Sequence, residues 1–451
     1  MSDLYGRLFR RVLYPAYESG LRRRDTLRHL RDYERDQWRS LDELQALQWQ
    51  RLQTLIAHCW EHVPFYRQSW GEAGMAGPGD IRSRDDYARL PVVTKAHIRA
   101  HRDAMIAPQH RDTLYFKVTG GSTGEPMRFG YTRESYERRV AVMFRGYGWA
   151  GAHQGQRTVY LWGAPVAAPA GFALFKDRVY HALFNRHMLN AFDMTPKRMA
   201  EYADAIDHFR PETIVSYVGP LVAMAEWLER EGRRIHRPQR LLGAAEALHP
   251  HQRVLLERAF GAPAYDTYGC REFMLIAAEC EAHDGLHINI DHLHLEFADG
   301  PSATGPSDLI VTDLYNYGMP MMRYLNGDLG TPSHGPACTC GRGLPKLAKV
   351  DGRKLDALRT ADGRLLPGEY FVHTLMNVRG FTHYQVVQRQ IDRLLVRLVP
   401  DAHYDAGTQD AIRSELRKLV GDSIAVEFER VESIALTASG KRRVTICELP
   451  S

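Results

Sequence analysis

The chain has 451 residues, 44% of them apolar and 25% charged, with a formal net charge of +5. That length allows about three domains and more than one core, and the mild basic excess suits an enzyme handling anions while falling short of a nucleic-acid footprint. There is no run of about 18 apolar residues and no apolar N-terminal core, so no membrane span and no signal peptide are expected, and the expected location is the cytoplasm.

In chain order, the first feature is the basic run Leu21-Arg-Arg-Arg-Asp-Thr-Leu-Arg-His-Leu-Arg31. It reads as a solvated helix face, with a membrane-surface or partner contact as the alternative. Ser40-Leu-Asp-Glu43 has the capping-box pattern, and Leu44, Leu47, Leu52, Leu55, Ile56 and Cys59 follow at helical spacing. A helix is therefore predicted over 40–63, stopping near Val63-Pro64. Leu90-Pro-Val-Val-Thr-Lys95 reads as an extended link into a short helix capped by Thr94, which leaves residues 1–110 mostly helical.

The pattern then changes to short apolar runs separated by helices. Strands are predicted at 113–119, 158–162, 213–218, 240–244 and 264–268, with helices at 196–209 and 220–230, which implies an α/β core. Alternation over 286–297 opens a β-rich section reaching about residue 349, where antiparallel pairing is expected and where His292 and His294 read as solvent-facing strand residues. After a boundary at 352–356, strands near 382–388, 394–399 and 424–429 and a helix near 408–420 make a small separate domain.

Thr119-Gly-Gly-Ser-Thr-Gly-Glu-Pro126 follows a predicted strand, and its amides and hydroxyls could form an anion-binding nest, yet it matches neither common nucleotide fingerprint. By itself it fits a plain turn equally well. Five further motifs follow in order: Gly243-Ala-Ala-Glu-Ala-Leu248, Tyr268-Gly-Cys-Arg-Glu272, Tyr324-Leu-Asn-Gly-Asp328, Gly352-Arg-Lys-Leu-Asp356 and Ser439-Gly-Lys441. This ordered set resembles the adenylate-forming superfamily, and most closely its phenylacetate-CoA ligase branch with the related capsule-biosynthesis proteins. His58-Cys-Trp-Glu-His-Val-Pro-Phe-Tyr-Arg67 and Leu90-Pro-Val-Val-Thr-Lys95 look like the same branch, so the resemblance covers nearly the whole chain.

The resemblance implies an α/β fold: a large multi-sheet N-terminal adenylate-forming domain followed by a small mobile α+β domain. The divisions expected are 1–110 (helical part), 111–353 (nucleotide- and acyl-binding core) and 354–451 (small domain). It implies that Thr119, Gly121, Ser122, Thr123 and Gly124 hold the ATP phosphates and that Glu272 holds Mg²⁺. Ala244, Ala245 and Glu246 would lie against adenine, with Tyr268 and Gly269 opposite. Asp328 would accept from the ribose hydroxyls, Arg353 would reach the nucleotide beside the hinge, and Lys441 would bridge the attacking carboxylate and the α-phosphate. Two positions depart from the family: Arg271 stands where threonine is usual, so a guanidinium replaces a hydroxyl near phosphate, and Leu355 and Asp356 stand where paired acids are usual.

Cys280 and His287, with Cys338 and Cys340, offer thiolates and an imidazole that could close a tetrahedral structural Zn²⁺ site, with free core thiols as the alternative. Tyr147, Trp162, Tyr217 and Met274 are candidates for an acyl pocket. The function implied is ATP- and Mg²⁺-dependent activation of a small carboxylic acid as an acyl-adenylate, with transfer to coenzyme A. The alternatives are an amide-forming ligase using an amine, an adenylating enzyme that loads a carrier protein in trans, and a non-catalytic zinc-stabilised relative. The sequence runs ten residues past Lys441, so no fused carrier is expected; a homodimer is one expected assembly.

Overall fold

The computed structural model describes residues 4–119, 127–163, 172–191, 193–298, 300, 302, 304, 307–350, 358–360, 365–366, 371, 374–375, 378–421, 424–435 and 444–449. Helices dominate up to residue 110, as the sequence implies. In the longest of them, Leu41–His62, the Ser40 hydroxyl accepts from the Glu43 amide and the Glu43 carboxylate accepts from the Ser40 amide at 2.9 Å. Leu44, Leu52, Leu55, Ile56 and Cys59 form its buried stripe. Val63 is extended because a proline follows, and Pro64 starts the next helix, Pro64–Glu72.

The strands are β1 (Tyr115–Thr119), β2 (Met127–Tyr131), β3 (Thr158–Trp162), β4 (Arg186–Asn190), β5 (Thr213–Tyr217), β6 (Arg240–Ala244), β7 (Ala264–Cys270), β8 (Met274–Glu279), β9 (Leu286–Ile288), β10 (Leu293–Phe297), β11 (Ser307–Asp313), β12 (Tyr324–Pro332) and β13 (Lys346–Val350). β1 and β2 pair antiparallel by themselves. The rest form one sheet in the order β10-β11-β12-β13-β9-β8-β7-β6-β5-β3-β4. From β4 to β7 every pairing is parallel, and from β7 to β10 every pairing is antiparallel. The apolar runs of the parallel half have helices packed beside them, whereas the helical N-terminal layer packs on the antiparallel half.

A smaller domain follows with its own core. β16 (Phe381–Gln390), β17 (Arg393–Pro400), β18 (Ala425–Arg430) and β19 (Thr445–Cys447) form a sheet ordered β18-β17-β16-β19, with the helix Ala406–Val420 burying Ile412, Leu416 and Val420. Two short strands, β14 (Leu358–Arg359) and β15 (Leu365–Leu366), precede it.

Several expectations change. The run 213–218 ends as β5 at Tyr217, and Val218 already opens the helix Val218–Arg230. The run 286–297 is two strands broken by a bend, and His292 and His294 do not face solvent: they are 1% and 9% exposed. The helical layer covers the face that alternation alone left open. The Tyr33 hydroxyl lies 2.8 Å from His292 Nδ1 and Tyr315 stacks on that ring, while His294 Nδ1 lies 3.2 Å from Gln48 Oε1.

Burial pushes His292 down to about 4 and His294 down to about 3. The unfolded chain, with imidazoles near 6.5, therefore binds more protons than the folded chain between those values, so their stability contribution is complete above about pH 6.5 and is lost as pH falls toward 4. Acidification from pH 7 to pH 5 is expected to cost on the order of 1–2 kcal/mol for each histidine. Urea midpoints at the two pH values check this, and His294→Asn should shrink the difference. An identical difference in that variant would contradict the buried, neutral assignment.

Candidate functional site

The β7–β8 junction and β12 build two hydrogen-bonded sets of polar side chains carried on one face of β12. On β12 the alternation is strict: Tyr324, Asn326 and Asp328 are buried on one face, and Leu325 and Gly327 lie on the other. That face meets Tyr268 of β7. The Tyr268 hydroxyl donates to Asp328 Oδ2 at 3.1 Å and accepts from Asn326 Nδ2 at 2.7 Å, and Asn326 Nδ2 also lies 2.9 Å from Asp328 Oδ2. Burial raises Tyr268 well above the usual phenol range, so it stays a donor. The Asp328 side chain is thus held in one orientation by Tyr268 and Asn326.

Glu272 sits in the turn between β7 and β8, 3% exposed. The Tyr324 hydroxyl donates to its Oε1 at 3.0 Å and lies 3.8 Å from the Met127 sulfur. The turn needs glycine: β7 is bulged between Tyr268 and Gly269, and a Cβ on Gly269 would come 1.8 Å from the Met274 carbonyl oxygen. Met274 itself has φ +66°, and Ala245, just past β6, has the same value.

Gly121, Ser122, Thr123 and Gly124 lie outside the described residues, as do Arg353 and Lys441. Both flanks of the glycine-rich segment nevertheless reach the Glu272 turn. Thr119 and Met127 are directly opposed on β1 and β2. Arg271 Nη1 donates to the Val118 carbonyl at 2.8 Å on one flank, and Met127 touches Tyr324 on the other. Thr119 is buried, and its hydroxyl has no hydrogen-bond partner among the described residues. The Arg271 guanidinium, read from sequence as a phosphate contact, here holds the backbone entering the loop.

Ala244 closes β6, and the Glu246 carboxylate accepts from the Gly219 amide at 2.5 Å, in the first turn of the helix Val218–Arg230. Asp266 of β7 ties this segment down: its carboxyl accepts from the Leu248 and Thr267 amides, and burial, reinforced by Glu279, pushes it up to about 7. Thr267 adds a hydroxyl bond to the Gly243 carbonyl at 2.7 Å.

β3 has β4 on one side and β5 on the other, so the connections part between β3 and β5, the place in an open α/β sheet where ligands bind beyond the carboxyl ends of the strands. Trp162 ends β3, Tyr217 ends β5, and their rings lie 4.3 Å apart. Tyr147 packs into the same cluster with Tyr160 and Trp162. Met274 belongs to the β7–β8 junction instead, so three of the four acyl-pocket candidates come together and the fourth faces the Glu272 turn.

A second cluster joins Cys280, His287, Cys338 and Cys340, whose ligand atoms all lie within 4.8 Å of one another. The Cys280 and Cys338 sulfurs are 3.6 Å apart, and Cys340 Sγ is 3.3 Å from His287 Nε2. A tetrahedral site with metal–sulfur bonds near 2.3 Å has sulfur–sulfur edges of about 3.8 Å, close to this spacing. His287 Nδ1 faces the Leu344 carbonyl at 3.0 Å, which can only accept, so the proton belongs on Nδ1 and Nε2 is free to ligate. The donor set therefore fits a metal.

Tyr324 and Asn326 are site residues that sequence reasoning quoted within a motif without assigning a role. Their spacing from Asp328, by two and four residues on a strand, was the available signal.

Residues 358–448 match the CapK C-terminal domain family. Over 389 residues the chain is 26% identical to a phenylacetate-coenzyme A ligase of Pseudomonas putida, covering 82% of this chain and 85% of that protein. It is 25% identical to the protein CapK of Staphylococcus aureus over 376 residues, 79% of each. The fold matches that of 2-hydroxyisobutyryl-CoA ligase solved with 2-HIB-AMP and CoA, at a TM-score of 0.64, 22% identity and 92% coverage of both chains.

Proposed function

We propose that the chain, which is similar to phenylacetate-CoA ligases and to CapK, is an AMP-forming acid–thiol ligase. It activates a small carboxylic acid with ATP as an acyl-adenylate, releases pyrophosphate, and passes the acyl group to coenzyme A. The observation that carries this reading is that one face of β12 carries both the Tyr324–Glu272 bond and the Asn326–Asp328–Tyr268 set, with both flanks of the glycine-rich segment held at Arg271 and Tyr324.

In the first step a carboxylate oxygen attacks the α-phosphorus and the bond to the pyrophosphate oxygen breaks. Both partners are anions, so the site must supply cations and donors where charge gathers. Lys441 fills that role at the reacting phosphate, the Thr119–Gly124 amides and hydroxyls hold the departing phosphates, and Glu272 would hold Mg²⁺, which neutralises phosphate charge when bound. Asp328 accepts from the ribose hydroxyls, and the 244–246 segment with Tyr268 and Gly269 encloses adenine. Trp162, Tyr217 and Tyr147 line the acyl crevice, and Arg353 meets the nucleotide next to the small domain, which begins near residue 354 and moves between the two steps. In the second step the thiol sulfur attacks the acyl carbon, the carbon–oxygen bond to AMP breaks, and the thiol proton leaves to solvent.

The test is incubation with ATP, Mg²⁺, coenzyme A and a panel of carboxylic acids, measuring pyrophosphate and identifying the acylated product. Acid-dependent pyrophosphate with a matching thioester is the expected result. An amide formed when amines are present, without thioester, would replace coenzyme A by an amine as acceptor.

The cysteine cluster holds structural Zn²⁺ in this reading. Cys338→Ser is expected to lower bound zinc from about one per chain to a small fraction and to lower the unfolding temperature, because loss of a structural ligand removes binding free energy that is also folding free energy. Elemental analysis and a melting curve check it; a metal-free, equally stable parent protein would overturn it.

A further inference from the structure

Two helical segments reverse the usual polarity of a surface helix. In Leu4–Leu8, continued by the π-helical turn Phe9–Leu13, Leu4, Leu8 and Val12 recur every four residues and are 80%, 48% and 53% exposed, while Phe9 is buried. Arg7 and Arg11, each one residue before a stripe position, are exposed along its border. The helix Phe172–Leu183 repeats the design: Phe175 and Val179 are 63% and 50% exposed, with exposed Lys176 and Arg178 between them in sequence.

The two segments share one surface. The Tyr5 hydroxyl donates to the Leu183 carbonyl at 2.6 Å, and Phe9 meets Phe184 with ring centroids 5.0 Å apart. Over residues 4–24 the sequence has six arginines and one acid, Glu18, which is buried and accepts from the Thr26 hydroxyl at 2.8 Å. In the second helix Asp177 is the one acid, between Lys176 and Arg178 in sequence.

We propose that this face docks reversibly on an anionic lipid bilayer. Exposed leucine, valine and phenylalanine bordered by arginine is the composition of a helix lying in a headgroup layer: the apolar side chains enter the acyl boundary and the guanidinium groups meet lipid phosphates. A second copy fits the charge badly, because a two-fold contact would set the arginines of one chain against those of the other. Among the described residues no helix is long and apolar enough to cross a membrane, so the contact is peripheral.

The full chain is floated with phosphatidylcholine vesicles with and without phosphatidylglycerol. Recovery is expected with the anionic vesicles, weakened about fivefold by each of Arg7→Glu and Arg11→Glu and reduced by added salt. Leu8→Ser with Phe175→Ser should also release the protein, and matching melting curves would show that the variants fold. Equal recovery on neutral and anionic vesicles, or recovery indifferent to both sets of substitutions, would overturn the proposal. So would a dimer seen by light scattering that Leu8→Ser dissolves in a protein that ignores vesicles.

Discussion

Lys441→Ala is expected to slow acyl-adenylate formation by about 10²–10³-fold, the cost of removing one charge-stabilising donor from a reacting centre. Thioester formation from a supplied acyl-adenylate should be nearly unchanged, because the charged phosphate step has then already been passed. Lys441 lies outside the described residues, and its role rests on the Ser439-Gly-Lys441 motif. Val444, three residues on, is fully buried in the core of the small domain. The lysine would thus be carried by a domain with its own core and delivered for one half-reaction. Acid-dependent exchange of pyrophosphate into ATP reads the first step, and product formation from synthetic acyl-adenylate and coenzyme A reads the second. Equal loss in both would contradict the division of labour.

The largest stability effect belongs to a buried ion pair away from that chemistry. Arg145 and Asp291 both have fully buried side chains; the guanidinium binds the carboxylate through two bonds of 2.5 and 2.8 Å. It also reaches Asn289 Oδ1 at 2.6 Å and the Tyr33 carbonyl at 2.9 Å, between the rings of Tyr33 and Trp149. The helix Arg133–Trp149, the helical layer and the chain between β9 and β10 are joined at this point. Asp291→Ala leaves a positive charge in the core with only neutral acceptors, a loss of about 3–5 kcal/mol out of a typical total of about 5–15. Arg145→Met with Asp291→Leu should recover much of it, since no charge then remains to be solvated. Denaturant unfolding distinguishes the cases, and a loss below about 1 kcal/mol in Asp291→Ala would show that water reaches the pair.

How far these features could be read from sequence depended on how local their causes are. The helix Leu41–His62 was legible because its cap, its apolar stripe and its proline stop are all written within it. Of the parallel strands, β3, β5, β6 and β7 were legible as apolar runs between helices, whereas β4, Arg186-His-Met-Leu-Asn190, was not. β2, whose five residues include Arg128 and Gly130, and β19, three residues long, were not, because each is defined by its partner strand. His292 and His294 were misread because alternation separates two faces without saying what covers either. Their partners Tyr33 and Gln48 are about 250 residues away.

The site divides in the same way. Glu272 and Asp328 are candidates through short motifs, yet the hydroxyl that links Glu272 to β12, from Tyr324, needed the strand pairing to appear. The bond from Arg271 to the Val118 carbonyl, 153 residues earlier, could not be read from spacing. The cysteine–histidine cluster was legible as a set of ligand types; the Leu344 carbonyl that fixes the His287 tautomer was not.

The most direct measurement follows an oxygen atom. A carboxylic acid that supports pyrophosphate release is labelled with ¹⁸O in its carboxylate, and the nucleotide product is analysed by mass spectrometry after transfer to coenzyme A. One labelled oxygen is expected in AMP, because the carboxylate oxygen that attacks the α-phosphorus leaves with it when the thioester forms. Unlabelled AMP, or label in inorganic phosphate beside ADP, would contradict it.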